Sequence, residues 1–211
     1  MIIILVSGLA PRWWKSQWAP ALGHLVTPRR RGRIAPLVES GLPVAADNDC
    51  FQRLDRAAYL KMLRALAPYA HHVRWVAVPD VVANAAATLA RWHIWLPALR
   101  YYGLCAAYVA QDGSETTPPP WSELHALFIG GSTRWKYGPH AERLMREAKE
   151  RGKWVHVGRA HSAMRLRYLD ALGVVDSVDS TAFSRHPDSN IGRCMRIRTV
   201  YQHAMEELWA A

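Results

Sequence analysis

The sequence predicts an α/β protein of the (β/α)8 TIM barrel type, formed by a single domain over residues 1–211. Short apolar runs alternate with longer helical patterns, which is the order expected for the strands and helices of such a barrel. Polar or glycine residues follow most of the apolar runs, at the positions where a barrel collects its functional groups. A chain of 211 residues, half of them hydrophobic, is long enough for one full core. It lies near the lower size limit of this fold, so one strand or helix could be missing.

Seven strands are predicted from short apolar or β-branched runs, at residues 1–6, 42–46, 73–78, 104–109, 126–129 and 153–157 and at the pair Val174 and Val175. Helical patterns follow at residues 83–99, 139–151 and 162–172 and around residues 190–209. One further helix is expected to begin at Asp55, because aspartate often caps a helix N-terminus. The helix that starts near residue 83 is expected to end near Pro97.

Charge and cysteine content restrict the class of protein. Lys and Arg number 27 against 17 Asp and Glu, which gives a net charge of +10 and favours a polyanionic partner. Three cysteines (Cys50, Cys105 and Cys194) lie far apart, without the paired spacing of a zinc site. We interpret them as reduced and buried, hence intracellular. Apolar runs are too short to span a membrane and residues 1–6 lack the features of a signal peptide, so no membrane partner is expected.

The N-terminal region combines aromatic and basic residues. It contains Trp13, Trp14 and Trp18, followed by an arginine loop with Arg29, Arg30, Arg31 and Arg33. Proline and glycine within this segment predict a loop rather than a helix. The loop is expected to contact phosphates, with the tryptophans available for base stacking. The alternative is a solvated charged loop beside a partly buried aromatic cluster, and the net charge favours contact with nucleic acid.

Candidate site residues follow the predicted strands. In order along the chain they are Asp47, Asp80, Gln111, Gly130 and Gly131, Gly158, and Asp179. Because every strand of a barrel ends at the same mouth, these residues are expected to meet there. Asp176 and Asp179 are three residues apart and cannot share one face of a strand, so one of them is expected on the turn that leaves it. The alternative is that both only cap a turn or a helix.

Two segments resemble the tRNA-guanine transglycosylases. Residues 175–185 (Val-Asp-Ser-Val-Asp-Ser-Thr-Ala-Phe-Ser-Arg) resemble that family's nucleophile segment, in which a strand ends in an aspartate and the next loop carries an arginine. Residues 46–52 (Ala-Asp-Asn-Asp-Cys-Phe-Gln) resemble its Thr-Asp-Ser-Gly-Gly-Phe-Gln motif. The resemblance implies that Asp179 is the nucleophile, Asp47 the general acid/base and Arg185 the loop arginine. Asp49 and Cys50 replace the two glycines, so the loop backbone is expected to differ; the alternative is a simple Asp-Asn turn.

The same resemblance implies a set of base-binding residues, namely Asp80, Gln111, Gly130, Gly131, Val157, Gly158 and Lys136. The aspartate, the glutamine and the glycine backbone would recognise the purine edge, while Val157 and Gly158 stand where the family has a Met-Gly pair under the base. Paired glycines let the backbone approach a planar ligand and leave amides available to bond it. Lys136 replaces the family's glutamate, so a neutral 7-substituted base is expected. The alternative is that Lys136 points outward to a phosphate.

Scattered motifs between Asp47 and Arg185 carry the resemblance, which is strongest to compact, phage-like members that insert 7-deazaguanine bases into DNA. It implies exchange of guanine in double-stranded DNA for a free 7-deazaguanine base, most simply the 7-cyano base preQ0. Arg159 and Arg185 join the arginine loop as phosphate contacts. The family's zinc-binding cysteine spacing is missing, so neither metal nor cofactor is expected, and the expected location is the cytoplasm of a bacterial or phage-infected cell.

Three alternatives stay open: a tRNA-guanine transglycosylase, a base-releasing glycosidase, and a nucleic-acid-binding barrel without catalysis. The histidines have no metal-ligand spacing and are interpreted as surface or structural residues; they include His71, His72, His140, His156 and His161.

Overall fold

The computed structural model describes residues 2–30, 32–51, 53–160, 162–185 and 189–192. Eight parallel strands form a closed barrel in which each strand pairs with the next along the chain and β8 pairs with β1. They are β1 Ile3–Val6, β2 Leu22–Val26, β3 Val44–Ala46, β4 Val73–Ala77, β5 Ala106–Ala110, β6 Ala126–Ile129, β7 Trp154–Val157 and β8 Ser177–Asp179. The predicted barrel is confirmed, and its strand set is complete.

Strand β2 was not predicted, because Gly23 and His24 interrupt its apolar run. Both residues serve packing. A Cβ on Gly23 would lie 2.7 Å from the Leu5 side chain and 2.8 Å from the Pro43 carbonyl oxygen, so only glycine fits between the neighbouring strands. His24 is buried and its Nε2 lies 2.9 Å from Ser40 Oγ, while burial lowers its pKa to about 4.

Seven α-helices surround the barrel: α1 Ile34–Glu39, α2 Arg56–Leu66, α3 Ala85–Tyr101, α4 Thr133–Lys136, α5 Pro139–Glu150, α6 Ala163–Leu172 and α7 Thr181–Arg185, counted over the described residues. The predicted cap of α2 is confirmed, since Asp55 Oδ1 accepts a hydrogen bond from the Ala58 amide at 2.9 Å. The expected end of α3 near Pro97 is wrong. Buried Leu96 and Leu99 flank the proline and anchor the helix on both sides of it. The helix expected around residues 190–209 lies mostly outside the described residues.

Side chains alternate along the strands between the barrel interior and the layer under the helices. The interior holds small alanines together with two large rings, Trp75 and Phe128, whose centroids lie 5.8 Å apart in an edge-to-face arrangement. Ala77 and Ala107 are fully buried beside them and leave room for the rings. The rings fill the barrel below its C-terminal mouth, so the strand ends border an open cavity.

Three tryptophans of the N-terminal region pack against the core, as expected for the partly buried aromatic cluster of the alternative interpretation. Trp13, Trp14 and Trp18 are half-buried. Trp14 Nε1 donates a hydrogen bond to the Leu9 carbonyl oxygen at 3.2 Å, and its ring meets the His24 ring edge-on at 5.4 Å. These contacts close the β1–β2 connection over the barrel wall.

Cys50 and Cys105 are free thiols, buried and half-buried respectively, and Cys194 lies outside the described residues. Among the helices of the described part of the chain, none is long and apolar enough to cross a membrane.

Candidate active site at the mouth of the barrel

One cavity of about 410 Å³ opens at the C-terminal ends of the strands. Residues at or just after the C-terminal ends of six consecutive strands line it, in chain order Asp47, Asp80, Gln111, Gly130, Gly158 and Asp179. Leu25, Val109 and Phe128 contribute an apolar part of its wall. The barrel thus brings Asp47 and Asp179, which lie 132 positions apart in the sequence, to one cavity.

Asp179 is the last residue of β8 and is only 9% exposed. His156 Nε2 lies 3.1 Å from its Oδ2, and the Arg159 amide donates to its Oδ1 at 2.9 Å. Burial acts to raise the pKa of Asp179, but the hydrogen bonds from His156 and Arg159 and the positive charge of Lys136 outweigh it and lower the pKa below its usual value. Asp179 is therefore an ionised carboxylate held through both oxygens.

The strand around Asp179 differs from the one expected. Strand β8 begins after Val174 and Val175, and Asp176 precedes it at the opposite end of the barrel from the mouth. Asp176 accepts hydrogen bonds from Lys149 Nζ at 2.9 Å and from the Val155 amide at 2.7 Å. The expected turn aspartate at the strand exit is thus wrong, because Asp176 lies at the strand entrance.

His156 was interpreted as a surface or structural histidine, yet it is fully buried and contacts Asp179. Its ring lies between Trp75 and Phe128, with centroids at 4.7 and 4.5 Å. Burial lowers its pKa, so the imidazole is neutral. Strand periodicity was the signal that could have found it: His156 stands two residues before Gly158, on the same face of β7, next to β8.

Asp47 follows β3 and is half-buried on the cavity wall. Its Oδ1 accepts a hydrogen bond from the Asn48 amide at 2.8 Å. Burial, and secondly the negative charge of Asp179, raise the pKa of Asp47 to about 8. At neutral pH Asp47 therefore keeps its proton while Asp179 is ionised.

Asp80 and Gln111 line the cavity, and they also bind each other. Asp80 accepts hydrogen bonds from Asn48 Nδ2 at 2.8 Å and from Gln111 Nε2 at 2.6 Å. Gln111 Oε1 accepts from the amides of Ala83 and Gly131 at 2.9 and 2.8 Å. Burial raises the pKa of Asp80. Asn48, treated as part of a simple turn, is thus a member of this network that sequence reasoning missed.

The expectation that the amides of Gly130 and Gly131 are available to a ligand is wrong. The Gly130 amide donates to the Ala110 carbonyl oxygen at 2.9 Å, and the Gly131 amide donates to Gln111. Close packing accounts for Gly130, since a Cβ there would lie 2.5 Å from Gln111 Nε2. Gly131 does not belong to the cavity lining.

Val157 does not reach the cavity, which contradicts its expected place under a base. Successive residues of a strand point to opposite faces, so Val157 points into the layer under the helices and is fully buried there. Phe128 takes the position beside Gly158 instead: a Cβ on Gly158 would lie 2.5 Å from the Phe128 ring. The ring and the glycine both line the cavity.

Lys136 lies at the end of α4, is 2% exposed and lines the cavity, so the alternative of an outward orientation is wrong. Its Nζ donates to the Gly158 carbonyl oxygen. Burial, and secondly the charge of Arg159, lower the pKa of Lys136 to about 8. The peptide group that accepts this hydrogen bond also supplies the Arg159 amide that donates to Asp179. One peptide therefore connects the ammonium group with the carboxylate.

Arginines surround the mouth. Arg29, Arg30, Arg159 and Arg185 line the cavity, whereas Arg33 is exposed outside its lining. Arg31 lies outside the described residues. The Arg159 guanidinium stands 4.6 Å from the centre of the Phe51 ring, which is 66% exposed.

The loop after β3 joins the arginine loop to the site. Asp49 has a φ of +55°, a left-handed conformation that glycine favours and aspartate tolerates. Its Oδ2 accepts a hydrogen bond from the Arg29 amide at 3.2 Å. The replacement of glycine by aspartate is thus compatible with a left-handed turn here. Within the described residues, His, Cys, Asp and Glu form no cluster that could hold a metal ion.

No protein-family model matches the sequence, and neither does any curated protein. Solved structures similar to the chain include native KDPGal, at 11% identity and a TM-score of 0.55 over 97% of this chain and 96% of that one. A cube-shaped, porous protein cage designed by fusing symmetric oligomeric domains is similar at 11% identity and a TM-score of 0.53, over 99% of this chain and 77% of that one. At this identity the likeness shows the barrel fold alone.

Proposed function

We propose that the protein is a DNA-guanine transglycosylase, which exchanges guanine in DNA for a 7-deazaguanine base through a covalent aspartyl-sugar intermediate. The observation that carries the proposal is the pair formed by Asp47 and Asp179. Both line one cavity, and their surroundings move their pKa values in opposite directions. An ionised carboxylate beside a protonated one is the combination that double displacement at a sugar carbon requires.

The two steps balance in protons and electrons. Asp179 attacks the anomeric carbon, and the glycosidic bond breaks with its electron pair on the guanine nitrogen, which takes the proton of Asp47. Guanine then leaves as a neutral base. The incoming base gives its proton to Asp47 while its nitrogen attacks the anomeric carbon, and the sugar–aspartate bond breaks to release Asp179. Both carboxyl groups end in their initial states, and retention of configuration follows from two inversions.

Recognition of guanine is assigned to Asp80 and Gln111. The Watson–Crick edge of guanine carries two neighbouring donors and one carbonyl acceptor, and a carboxylate can accept from both donors. Asp80 is fixed between two amide groups, so its remaining lone pairs have a set direction. The second N–H of Gln111 Nε2 would donate to the carbonyl oxygen of the base. This arrangement suits guanine or a 7-deazaguanine and not adenine.

Double-stranded DNA is the substrate that the charge distribution favours. The net charge is +10, and arginines from several loops line the mouth. A base must leave the duplex to reach a cavity at the end of a barrel, which costs a few kcal/mol. Phosphate contacts from the arginines would offset part of this cost. The incoming base is assigned as a neutral one such as the 7-cyano base, because the buried ammonium of Lys136 opposes a second cation.

The test incubates purified protein with duplex DNA that contains labelled guanine and, in parallel, with tRNA, each with and without the 7-cyano base. Mass spectrometry of nucleosides and free bases follows. Release of labelled guanine together with base incorporation supports exchange. Guanine release without incorporation identifies a base-releasing glycosidase instead. Incorporation into tRNA only contradicts the DNA assignment. Binding of DNA with neither release nor a covalent adduct indicates a barrel without catalysis.

A further inference from the structure

We propose that His156 is the positioning residue of the nucleophile, fixed by Ser177 and Trp154 as the tautomer that donates a hydrogen bond from Nε2 to Asp179. The inference rests on the proposed function in one respect, the role of Asp179 as nucleophile. It concerns three further residues, Trp154, His156 and Ser177, which lie on β7 and β8 and are not part of the cavity lining.

The tautomer of His156 follows from assigning a donor and an acceptor to each contact between Trp154, Ser177, His156 and Asp179. The Trp154 indole has only a donor, and its Nε1 lies 2.8 Å from Ser177 Oγ, so the serine oxygen accepts. The serine hydroxyl proton then points to its other partner, His156 Nδ1, at 2.9 Å. Nδ1 must accept this proton, so the single proton of a neutral imidazole lies on Nε2. That nitrogen stands 3.1 Å from Asp179 Oδ2, an acceptor.

The opposite tautomer fits the same contacts poorly. With its proton on Nδ1, the imidazole would donate to Ser177 Oγ, which would then accept from both His156 and Trp154. The serine proton would have no acceptor among the contacts of the described residues. The lone pair of Nε2 would then face the Asp179 carboxylate at 3.1 Å and repel it. A buried polar contact of this kind is expensive because no water can relieve it.

The surroundings keep the imidazole uncharged. His156 is enclosed by the rings of Trp75 and Phe128, and the ionisable groups that act on it are Asp179 and Lys136. Burial outweighs the attraction of Asp179 and lowers the pKa of His156. A neutral donor orients the carboxylate without offering it a readily transferred proton. Asp179 therefore stays ionised when it attacks the sugar.

Both carboxylate oxygens are consequently held by donors from β7 and its following loop, His156 on Oδ2 and the Arg159 amide on Oδ1. Two donors in different directions fix the rotation of the carboxylate plane. A fixed nucleophile loses less freedom in the transition state than a rotating one. The expected signature of His156 is therefore a change in kcat and in the pH profile, with little change in KM.

The first measurement is the nitrogen-15 spectrum of histidine-labelled wild type, with His156→Gln to assign the His156 signals. The expected spectrum shows a neutral imidazole with its proton on Nε2. A proton on Nδ1, or a charged ring at neutral pH, would overturn the inference. This measurement needs no substrate, so it tests the inference independently of whether the wild type exchanges bases.

The second measurement compares Ser177→Ala with the near-isosteric Ser177→Cys, whose thiol is a weak donor. Ser177→Ala removes the group that selects the tautomer. We expect kcat for exchange to fall about 10- to 100-fold, with KM unchanged and the acid limb of the pH profile moved to higher pH. Ser177→Cys should lie between alanine and wild type.

A fall in melting temperature with an unchanged pH profile would assign Ser177 and His156 a structural role only, and would overturn the proposal. Trp154→Phe removes the first donor of the chain from a half-buried position. If Ser177→Ala does not fold, Trp154→Phe provides the test instead. The same changes in kcat and in the pH profile are expected, but smaller. If the wild type does not exchange bases, the proposed function is contradicted. The nitrogen-15 spectrum still tests the tautomer of His156 independently.

Discussion

The two halves of the barrel mouth treat their carboxyl groups differently. On the β3–β5 side, the partners of Asp47 and Asp80 are neutral amides, and burial raises both pKa values. On the β6–β8 side, Asp179 has a donor on each oxygen and the Lys136 ammonium nearby, and its pKa is lowered. The same residue type is thus protonated or ionised according to the donors and cations that the neighbouring strands place beside it.

The largest effect is expected when the carboxylate charge of Asp179, on the β6–β8 side, is removed. Asp179→Asn should lower base exchange by about 1,000-fold or more, because a carboxamide cannot form the sugar ester. Incorporation of labelled guanine into DNA measures it. Asp176→Asn is the matched control just before the same strand: it loses the ion pair with Lys149 but lies at the far end of the barrel. Substantial exchange by Asp179→Asn would remove Asp179 from the role of nucleophile.

Asp47→Asn removes the acid of the β3–β5 side. We expect exchange to fall about 100- to 10,000-fold, since the departing guanine loses its proton donor. Asp49→Asn is the control, because Asp49 lines the same cavity two residues further on and tolerates asparagine at its positive φ. Single-turnover assays of guanine release report the affected step. Equal losses in both variants would show that the loop, and not the Asp47 proton, is required.

The difference between the two sides also predicts the pH dependence. Asp47 must be protonated, so kcat/KM should fall as pH rises through about 8, by about 10-fold per pH unit above it. Asp179 must be ionised, so the acid limb should lie below the usual range of an aspartate pKa.

Lys136 has its own pKa lowered to about 8 and could produce the same alkaline limb. Lys136→Met separates the two assignments. The alkaline limb should persist in this variant if Asp47 is its source, and its disappearance would transfer the limb to Lys136.

The sequence was sufficient to predict which residues lie at the strand ends of the mouth, but not which side chains they contact. Asp47 and Asp179 could be located because a barrel brings every strand exit to one mouth, whatever the strands contain. The position of Val157 could have been rejected by strand periodicity alone. The partners of Gln111 and Gly131 could not be inferred, because they depend on the relative height of two strands and the loops after them. Strand periodicity places His156 on the same face of β7 as Gly158, but its contact with Asp179 depends on the pairing of β7 with β8, which no local pattern contains.

The charge of the β6–β8 side should also affect the choice of incoming base. Wild type is expected to prefer the neutral 7-cyano base over the cationic 7-aminomethyl base by about 10-fold, because of repulsion by Lys136. Lys136→Glu should favour the aminomethyl base, and Lys136→Met should show little preference. Competition between the two bases, measured by mass spectrometry of the DNA, compares the three proteins. Equal use of both bases by wild type, unchanged in Lys136→Glu, would separate Lys136 from base choice.

The smallest expected effect concerns the rim, where both sides are basic. Arg30 comes from the β2–β3 connection and Arg185 from the end of α7, and both line the cavity. Arg33 belongs to the same loop as Arg30 but lies exposed outside the cavity lining.

If DNA phosphates lie along the mouth, Arg30→Ala and Arg185→Ala should each weaken DNA binding a few-fold and reduce the slope of log Kd against log salt by about 1. Arg33→Ala should leave the slope unchanged. Titrations of DNA binding at several salt concentrations distinguish two cases: arginines on both sides of the mouth contact phosphates, or the arginine loop attracts DNA only through its charge. An equal reduction of the slope in all three variants would favour the second case, because the position of an arginine at the mouth would then make no difference.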